Sequence, residues 1–133
     1  MQRHVNLLGI LWSLWGALAA LVGVSMLLLA VGALAWVLGP DREASAFGAG
    51  LFAALFALIG AFALLWGGAH VWTGMLVRRH LPLGRILSLG LAVVNLLILP
   101  FGTALGIYAL WVLLTGDGRK LFEPAPLASA APR

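Results

Sequence analysis

The chain has 133 residues, of which 63% are hydrophobic and only 9% are charged. Soluble domains carry roughly 25% charged residues, so this composition does not fit a water-facing globular surface and predicts an integral membrane protein. The absence of cysteine excludes disulfides, thiolate nucleophiles and sulfur-ligated metals. The formal net charge of +4 does not indicate nucleic-acid binding, because the basic residues flank hydrophobic runs as topology signals do.

Three hydrophobic runs contain no Asp, Glu, Lys or Arg, and they cover residues 4–40, 44–77 and 86–116. Each is longer than 30 residues, whereas a membrane-spanning helix needs about 20 residues. The first run has no proline before Pro40, which predicts one long helix that tilts or protrudes from the hydrocarbon core. The second run also predicts one long helix, because a turn at Gly67 and Gly68 would leave too few residues before Arg78 to recross the bilayer.

The third run differs because its sequence LPFGT brings Pro100 and Gly102 within three residues. Proline removes a helical donor and disfavours helical geometry at the residue before it, so we predict two short helices here. Pro82 fits a first helical position, Gly102 a left-handed turn and Thr103 an N-cap. The two helices would be only about 27 Å and 20 Å long, which is below the usual span, so one helix kinked at Pro100 stays an alternative.

The predicted fold class is therefore all-α, a polytopic transmembrane bundle of four helices, two long and two short. We place these helices at about residues 7–38, 44–76, 82–99 and 103–115. They form one transmembrane domain over residues 1–122, which precedes a tail over residues 123–133 whose proline and alanine content predicts disorder. With a cytoplasmic N-terminus, four helices put seven of the eight Lys and Arg residues on the cytoplasmic side, as the positive-inside rule requires. Both termini are then cytoplasmic, whereas three helices would put the basic tail outside.

Aromatic side chains are expected in belts at the two membrane interfaces. Those near the predicted cytoplasmic ends are Trp12, Trp15, Trp72 and Trp111, and those near the opposite ends are Trp36, Phe47 and Phe101. Any one of these tryptophans could instead fill space between helices, and both interpretations stay open.

Small residues recur on the two long helices at a seven-residue period, which is the period of a coiled-coil seam. Helix association in lipid depends on close backbone approach, so we predict that these stripes face each other in an antiparallel hairpin. A shorter stripe lies on the last helix, where GTALG is a GxxxG motif. The predicted packing residues are Gly9, Gly16, Gly23, Gly60, Gly67, Gly74, Gly102 and Gly106. The alternative is that glycine and alanine are simply common in membrane helices.

The polar side chains that lie deep in the predicted helices include no Asp, Glu, Lys or Arg. The chain therefore offers no acid–base pair, and the HExxH, P-loop and GxSxG motifs are absent. We predict no enzyme activity, no cofactor and no metal site. His70 is the one deep titratable residue, and we interpret it as a packing histidine, because His4 and His80 are too distant to supply a second ligand.

Asn95 is the other deep polar residue with a predicted role. It shares a helix face with Gly84, Ser88 and Ala92, which predicts an interhelical hydrogen bond worth around 1 kcal/mol. Contact with a substrate is the alternative role for this side chain.

Basic residues cluster at the predicted cytoplasmic ends of the helices, where they could hold anionic lipid headgroups. The residues concerned are Arg78, Arg79, Arg85, Arg119 and Lys120. The alternative is that these charges only set the topology.

The sequence LPFGTALGIYALWVLL, followed by GRKLF, resembles the C-terminal signature of small bacterial integral membrane proteins that are usually predicted to have four helices and whose function is uncharacterised. The likeness covers about residues 86–122. The resemblance implies the bacterial cytoplasmic (inner) membrane and a turn at LPFG. It implies no activity and no functional residues.

We therefore predict a non-enzymatic, multi-pass integral membrane protein that acts as a structural or accessory subunit through small-residue helix packing. Its expected partners are membrane lipids and either further copies of itself or a larger membrane complex, and nucleic acid is not among them. The alternative function is a small oligomeric transporter or channel in which His70, Thr73 and Asn95 line the path.

Overall fold

The computed structural model describes residues 2–39 and 46–122, which form five α-helices and no strand. The helices are α1 (Gln2–Val37), α2 (Ala46–Arg78), α3 (Pro82–Asn95), α4 (Phe101–Leu114) and α5 (Gly116–Lys120). The predicted all-α class and the two long apolar helices are confirmed. The sequence patterns do not predict the short helix α5, and the predicted tail over residues 123–133 lies outside the described residues.

The two long helices, α1 with 36 residues and α2 with 33, are apolar along most of their length. At the usual helical rise they are about 54 Å and 50 Å long. By length and composition both could cross a membrane, and only 11% of the most apolar 18-residue window of each helix is buried. A helix in the core of a soluble protein would be mostly buried over such a window. The large apolar side chains of α1 and α2 therefore lie mainly on the exposed surface of the protein.

The third hydrophobic run forms two helices rather than one kinked helix, because residues 96–100 separate α3 from α4. Pro82 occupies the start of α3, as the sequence predicts, and Pro100 directly precedes α4. The two helices pack antiparallel, since the start of α4 contacts the end of α3 and the middle of α4 contacts an earlier part of α3. Both ends of this hairpin therefore lie on the same side.

Two detailed predictions about this turn are wrong. No glycine in the described part of the chain has a positive φ, so Gly102 is not a left-handed turn residue but lies in the first turn of α4. A Cβ on Gly102 would lie 2.7 Å from Ile98 Cβ and 2.8 Å from Asn95 O, so glycine is required by close packing. Thr103 is not the N-cap, because α4 begins two residues earlier; its hydroxyl instead donates to Leu96 O at 2.9 Å and ties the turn together.

The end of α2 has a left-handed residue that the sequence does not predict. His80 N–H donates to Val77 O at 3.0 Å and Leu81 N–H donates to Leu76 O at 3.1 Å, which is the Schellman pattern of a helix C-terminus. The left-handed residue of this motif is usually glycine, but here it is His80, with φ 54°. A side chain with a Cβ costs roughly 1–2 kcal/mol in this conformation, so His80 is held there by its surroundings.

We expect His80→Gly to be more stable than His80→Ala by about 1 kcal/mol, because both variants lose the imidazole but only glycine relieves the left-handed strain. The free energy of unfolding of the two variants, measured side by side in the same micelles, checks this. An alanine variant as stable as the glycine variant would show that the chain does not adopt the left-handed turn.

The described residues belong to two compact units. The second unit, Ser13–Val71, contains the part of α1 after Trp12 and the part of α2 before Trp72, and these two parts contact each other. The first unit contains the start of α1, the end of α2, and α3 to α5. Its core consists of Val5, Leu8, Trp12, Val77, Ala92, Ala109, Val112, Leu113 and Phe122.

The tryptophans differ in their surroundings. Trp12 is fully buried in the core of the first unit, which fits the alternative that it fills space between helices. It shares one side of α1 with Val5 and Leu8, three and four residues apart, and that side is the buried one. Trp72 and Trp111 are each 54% exposed, as residues of an interfacial belt would be.

Candidate functional site

The α1–α2 contact in the second unit is a glycine seam, which consists of Gly16, Gly23, Gly60 and Gly67. A Cβ on Gly16 would lie 2.5 Å from Gly67 O, and a Cβ on Gly67 would lie 2.5 Å from Gly16 O. Gly23 and Gly60 are paired in the same way, with each Cβ 2.9 Å from the carbonyl oxygen of the other residue. Real Cβ atoms essentially never approach within 3.0 Å of another atom, so all four positions require glycine at this helix separation.

The two helices of the seam run antiparallel. Gly16 contacts Gly67, whereas Gly23, seven residues later on α1, contacts Gly60, which is seven residues earlier on α2. The absence of side chains brings the backbones into contact, which places the Cα–H groups of one helix against carbonyl oxygens of the other. Such contacts contribute about 0.5–1 kcal/mol each, and dispersion between the closely packed backbones adds to them. In a lipid environment these terms hold helices together, since burial of apolar surface there provides little drive.

Gly9 packs against the backbone of Gly74 within the first unit. A Cβ on Gly9 would lie 2.9 Å from Gly74 O and 2.5 Å from Arg78 Cγ. The aliphatic part of Arg78 therefore lies across Gly9, while the residue as a whole stays exposed. This arrangement lets a cationic side chain cover apolar surface and keep its charged end in a polar environment.

The buried face of α3 consists of Gly84, Ser88, Ala92 and Asn95, which is the face that the sequence predicts around Asn95. A Cβ on Gly84 would lie 2.7 Å from Leu76 C, so α3 packs directly on the backbone at the end of α2. The sequence prediction of packing glycines omits Gly84, although its place on the Asn95 face could have indicated it. On α4, the predicted Gly106 packs against Ala92, with a Cβ position 2.6 Å from Ala92 O.

His70 is fully buried in the second unit, and its hydrogen bond is local. The distance from His70 Nδ1 to Trp66 O is 2.8 Å. A carbonyl oxygen only accepts, so Nδ1 carries the proton in this bond. The imidazole also lies 4.7 Å from the Trp66 ring, between centroids, and that ring stacks on Phe62. These contacts fit a packing histidine.

Thr73 and Asn95, the other residues of the alternative polar path, belong to the first unit and are both buried. Asn95 Nδ2 donates to Leu91 O at 2.9 Å, one turn earlier in α3. Among the described residues, no group of three or more His, Cys, Asp or Glu side chains could hold a metal ion.

All charged side chains among the residues that the structure describes belong to the first unit. The cations are Arg3, Arg78, Arg79, Arg85, Arg119 and Lys120, and Asp117 is the one acid in the described ranges. The described residues of the second unit carry no charge over their whole length. The charged side chains that the structure describes are therefore confined to one unit, and the described part of the other unit is uncharged.

Two grooves lie among these cations. The larger, of about 590 Å³, is lined by Asn6, Ile10, Met75, Arg78 and Arg79. The smaller, of about 230 Å³, is lined by Pro82, Arg85, Ile86, Leu89 and Phe122. The predicted basic cluster is thus divided, because Arg78 and Arg79 face one groove and Arg85 faces the other.

Comparisons with protein-family models, with curated proteins and with solved structures find no match to this chain. The resemblance of residues 86–122 to small bacterial membrane proteins therefore stays a prediction.

Proposed function

We propose that the protein is a non-enzymatic integral membrane protein, in which α1 and α2 cross the bilayer as an antiparallel pair joined by the glycine seam. Its role is that of a structural or accessory subunit, which acts through helix packing with further copies of itself or with a larger membrane complex. The bacterial cytoplasmic membrane, with both termini on the cytoplasmic side, is the proposed location.

The outward-facing apolar surface of the long helices carries this proposal. On α1 alone, 13 large hydrophobic residues are exposed, most of them by about half. Keeping such a half-exposed side chain in water rather than in an apolar environment costs about 1 kcal/mol, so these 13 side chains together favour lipid over water by roughly 10 kcal/mol. Acyl chains cover this surface without that cost.

The short helices require a different placement from the long ones. With 14 residues each, α3 and α4 are about 21 Å long, which is short of the roughly 30 Å hydrocarbon core. We place them as a hairpin that enters the membrane and returns to the side it came from. Its tip is apolar, since Leu97, Leu99 and Phe101 are all more than 70% exposed. The chain after α4 is then cytoplasmic whether or not the hairpin crosses completely.

A flank of α2 supports association with another helix. Ala54 and Ala61 are seven residues apart and are both exposed. Small residues on an outer face allow a second helix to approach closely in lipid. Photo-crosslinking from Leu58, which is 69% exposed on the same helix, would capture such a neighbour in the native membrane.

Membrane extraction and a topology reporter test the proposal. We expect the protein to stay in the membrane pellet after alkaline carbonate and to dissolve only in detergent. A reporter fused after Arg133 should give a cytoplasmic signal. Release into the carbonate supernatant would contradict the membrane location, and a periplasmic signal would contradict the topology.

The transporter alternative is tested by flux into liposomes that contain the purified protein. A structural role predicts no solute flux above that of empty liposomes, with or without His70→Ala. A flux that His70→Ala abolishes would replace the structural role by a transport role.

A further inference from the structure

The smaller groove of the first unit combines one cation with apolar walls. Its volume of about 230 Å³ is lined by Pro82, Arg85, Ile86, Leu89 and Phe122. Sites for drug-sized ligands measure about 300–1,000 Å³, so this groove fits a single chain or a small group. Ile86 is 67% exposed, so the apolar wall opens outward.

Arg85 is the polar group of this groove, and it is incompletely satisfied. Its Nε is buried and has no hydrogen-bond partner among the described residues. A buried donor without an acceptor is costly, and the cost is greater for a charged group. The planar guanidinium matches phosphate oxygens, which it binds through two parallel N–H donors.

The surroundings of Arg85 favour an anion. Asp117 is the one acid in the described part of the chain and is exposed, whereas six described residues of the same unit are cationic. An anion that reaches this unit therefore meets a positive field and a donor that lacks an acceptor.

The structure also holds the far wall of the groove in place. The His80 ring lies 6.0 Å from the Phe122 ring, between centroids. His80 keeps this position in a left-handed conformation that glycine would adopt more easily. The wall formed by Phe122 is thus supported from the end of α2.

We propose that this groove binds one anionic phospholipid, with the lipid phosphate on the Arg85 guanidinium and an acyl chain against Ile86 and Leu89. The proposal rests on the membrane location proposed above and adds a defined lipid site to it. In this proposal Arg85 binds a lipid at a defined site, whereas the exposed cations attract anionic lipids only through their charge.

The test measures lipid binding to the full-length protein in detergent micelles by native mass spectrometry. Phosphatidylglycerol is the anionic probe, phosphatidylcholine the neutral one, and glycerol phosphate the headgroup without acyl chains. We expect Arg85→Gln to weaken phosphatidylglycerol binding about tenfold, as loss of a charge-assisted hydrogen bond does. The matched control, Arg79→Gln, removes the same charge from an exposed position and should change binding less than about threefold.

A second variant tests the apolar wall. Leu89→Trp fills the groove and should also weaken phosphatidylglycerol binding, while far-UV circular dichroism shows whether the helices persist. Equal losses in Arg85→Gln and Arg79→Gln would overturn the proposal, because binding would then follow net charge alone. Phosphatidylcholine or glycerol phosphate binding as tightly as phosphatidylglycerol would also overturn it.

The chain itself offers another occupant, since Glu123 follows Phe122 directly. If the wild type binds no phosphatidylglycerol at this site but Glu123→Gln does, the tail occupies the groove and the proposal is wrong. Carbonate extraction of membranes that contain the protein distinguishes a failure of the lipid-site proposal from a failure of the proposed membrane location. A protein that resists extraction but shows no effect of Arg85→Gln retains its membrane location and loses only the lipid site.

Discussion

Replacing Gly67 by alanine should lower the free energy of unfolding by about 1–3 kcal/mol, the usual cost of inserting atoms into a fully packed contact. The new Cβ would lie 2.5 Å from Gly16 O and 2.7 Å from Ala20 N. Both atoms belong to the backbone of α1, so no side chain can move aside. Relief requires the two helices to separate, which weakens the neighbouring contacts of the seam.

Gly68 provides the matched control, because it is the next residue on the same helix, is exposed, and has nothing within 4 Å of its Cβ position. Alanine is favoured over glycine in a helix by about 1 kcal/mol, so Gly68→Ala should leave stability unchanged or raise it. Unfolding by SDS in lipid–detergent micelles, followed by tryptophan fluorescence and circular dichroism, measures both variants. Losses of equal size at the two positions would contradict the seam.

Trp12→Ala is the second substitution with a large expected effect. Trp12 is fully buried in the core of the first unit, which includes Leu8 and Val77. Removing a buried indole leaves a cavity and forfeits its packing contacts, at a cost of about 3–5 kcal/mol in well-packed cores. The same SDS unfolding experiment should show a variant that is helical but much less stable than the wild type.

Trp72→Ala is the control for this substitution, since Trp72 belongs to the same unit and is 54% exposed. Substitutions at exposed positions usually change the free energy of unfolding by about 0.5 kcal/mol or less. About half of the Trp72 indole is covered, so we expect Trp72→Ala to lower the free energy of unfolding somewhat, but less than Trp12→Ala does. If Trp72→Ala cost as much as Trp12→Ala, the assignment of buried and exposed faces in the first unit would be incorrect.

The long helices and their glycine pairs could be predicted because both depend on local sequence properties. An uncharged apolar run predicts a helix by length alone. Small residues at a seven-residue period identify one side of each helix. Joining two such helices by a short connection favours an antiparallel pair, and in the structure Gly16 lies opposite Gly67, and Gly23 opposite Gly60.

Other features depend on residues far apart in the sequence, and no local pattern indicates them. His80 adopts a left-handed conformation beside Phe122, which follows it by 42 residues. Helix α5 folds back so that Gly118 contacts the Val112 carbonyl. The place of Trp12 follows from core packing, which a tryptophan near a helix end does not distinguish from an interfacial position.

The groove beside Arg85 could be predicted only in part. The sequence indicates that Arg85 is basic and close to a membrane surface, as it does for Arg78 and Arg79. Only the packing of α3 and Phe122 shows that Arg85 Nε is buried and that an apolar groove adjoins it. Charge clusters thus predict which end of a membrane protein is polar, but tertiary contacts decide which cation has a defined ligand.

Single-cysteine labelling tests most directly whether the long helices lie in lipid, since the chain has no cysteine of its own. Leu21→Cys and Leu58→Cys replace residues that are 64% and 69% exposed, and Arg79→Cys provides an exposed reference in the charged first unit. In inside-out membrane vesicles, which expose the cytoplasmic side, a water-soluble maleimide should label Arg79→Cys quickly and leave the other two unlabelled until detergent and denaturant are added. Labelling of all three at the same rate would show that water, and not lipid, covers α1 and α2.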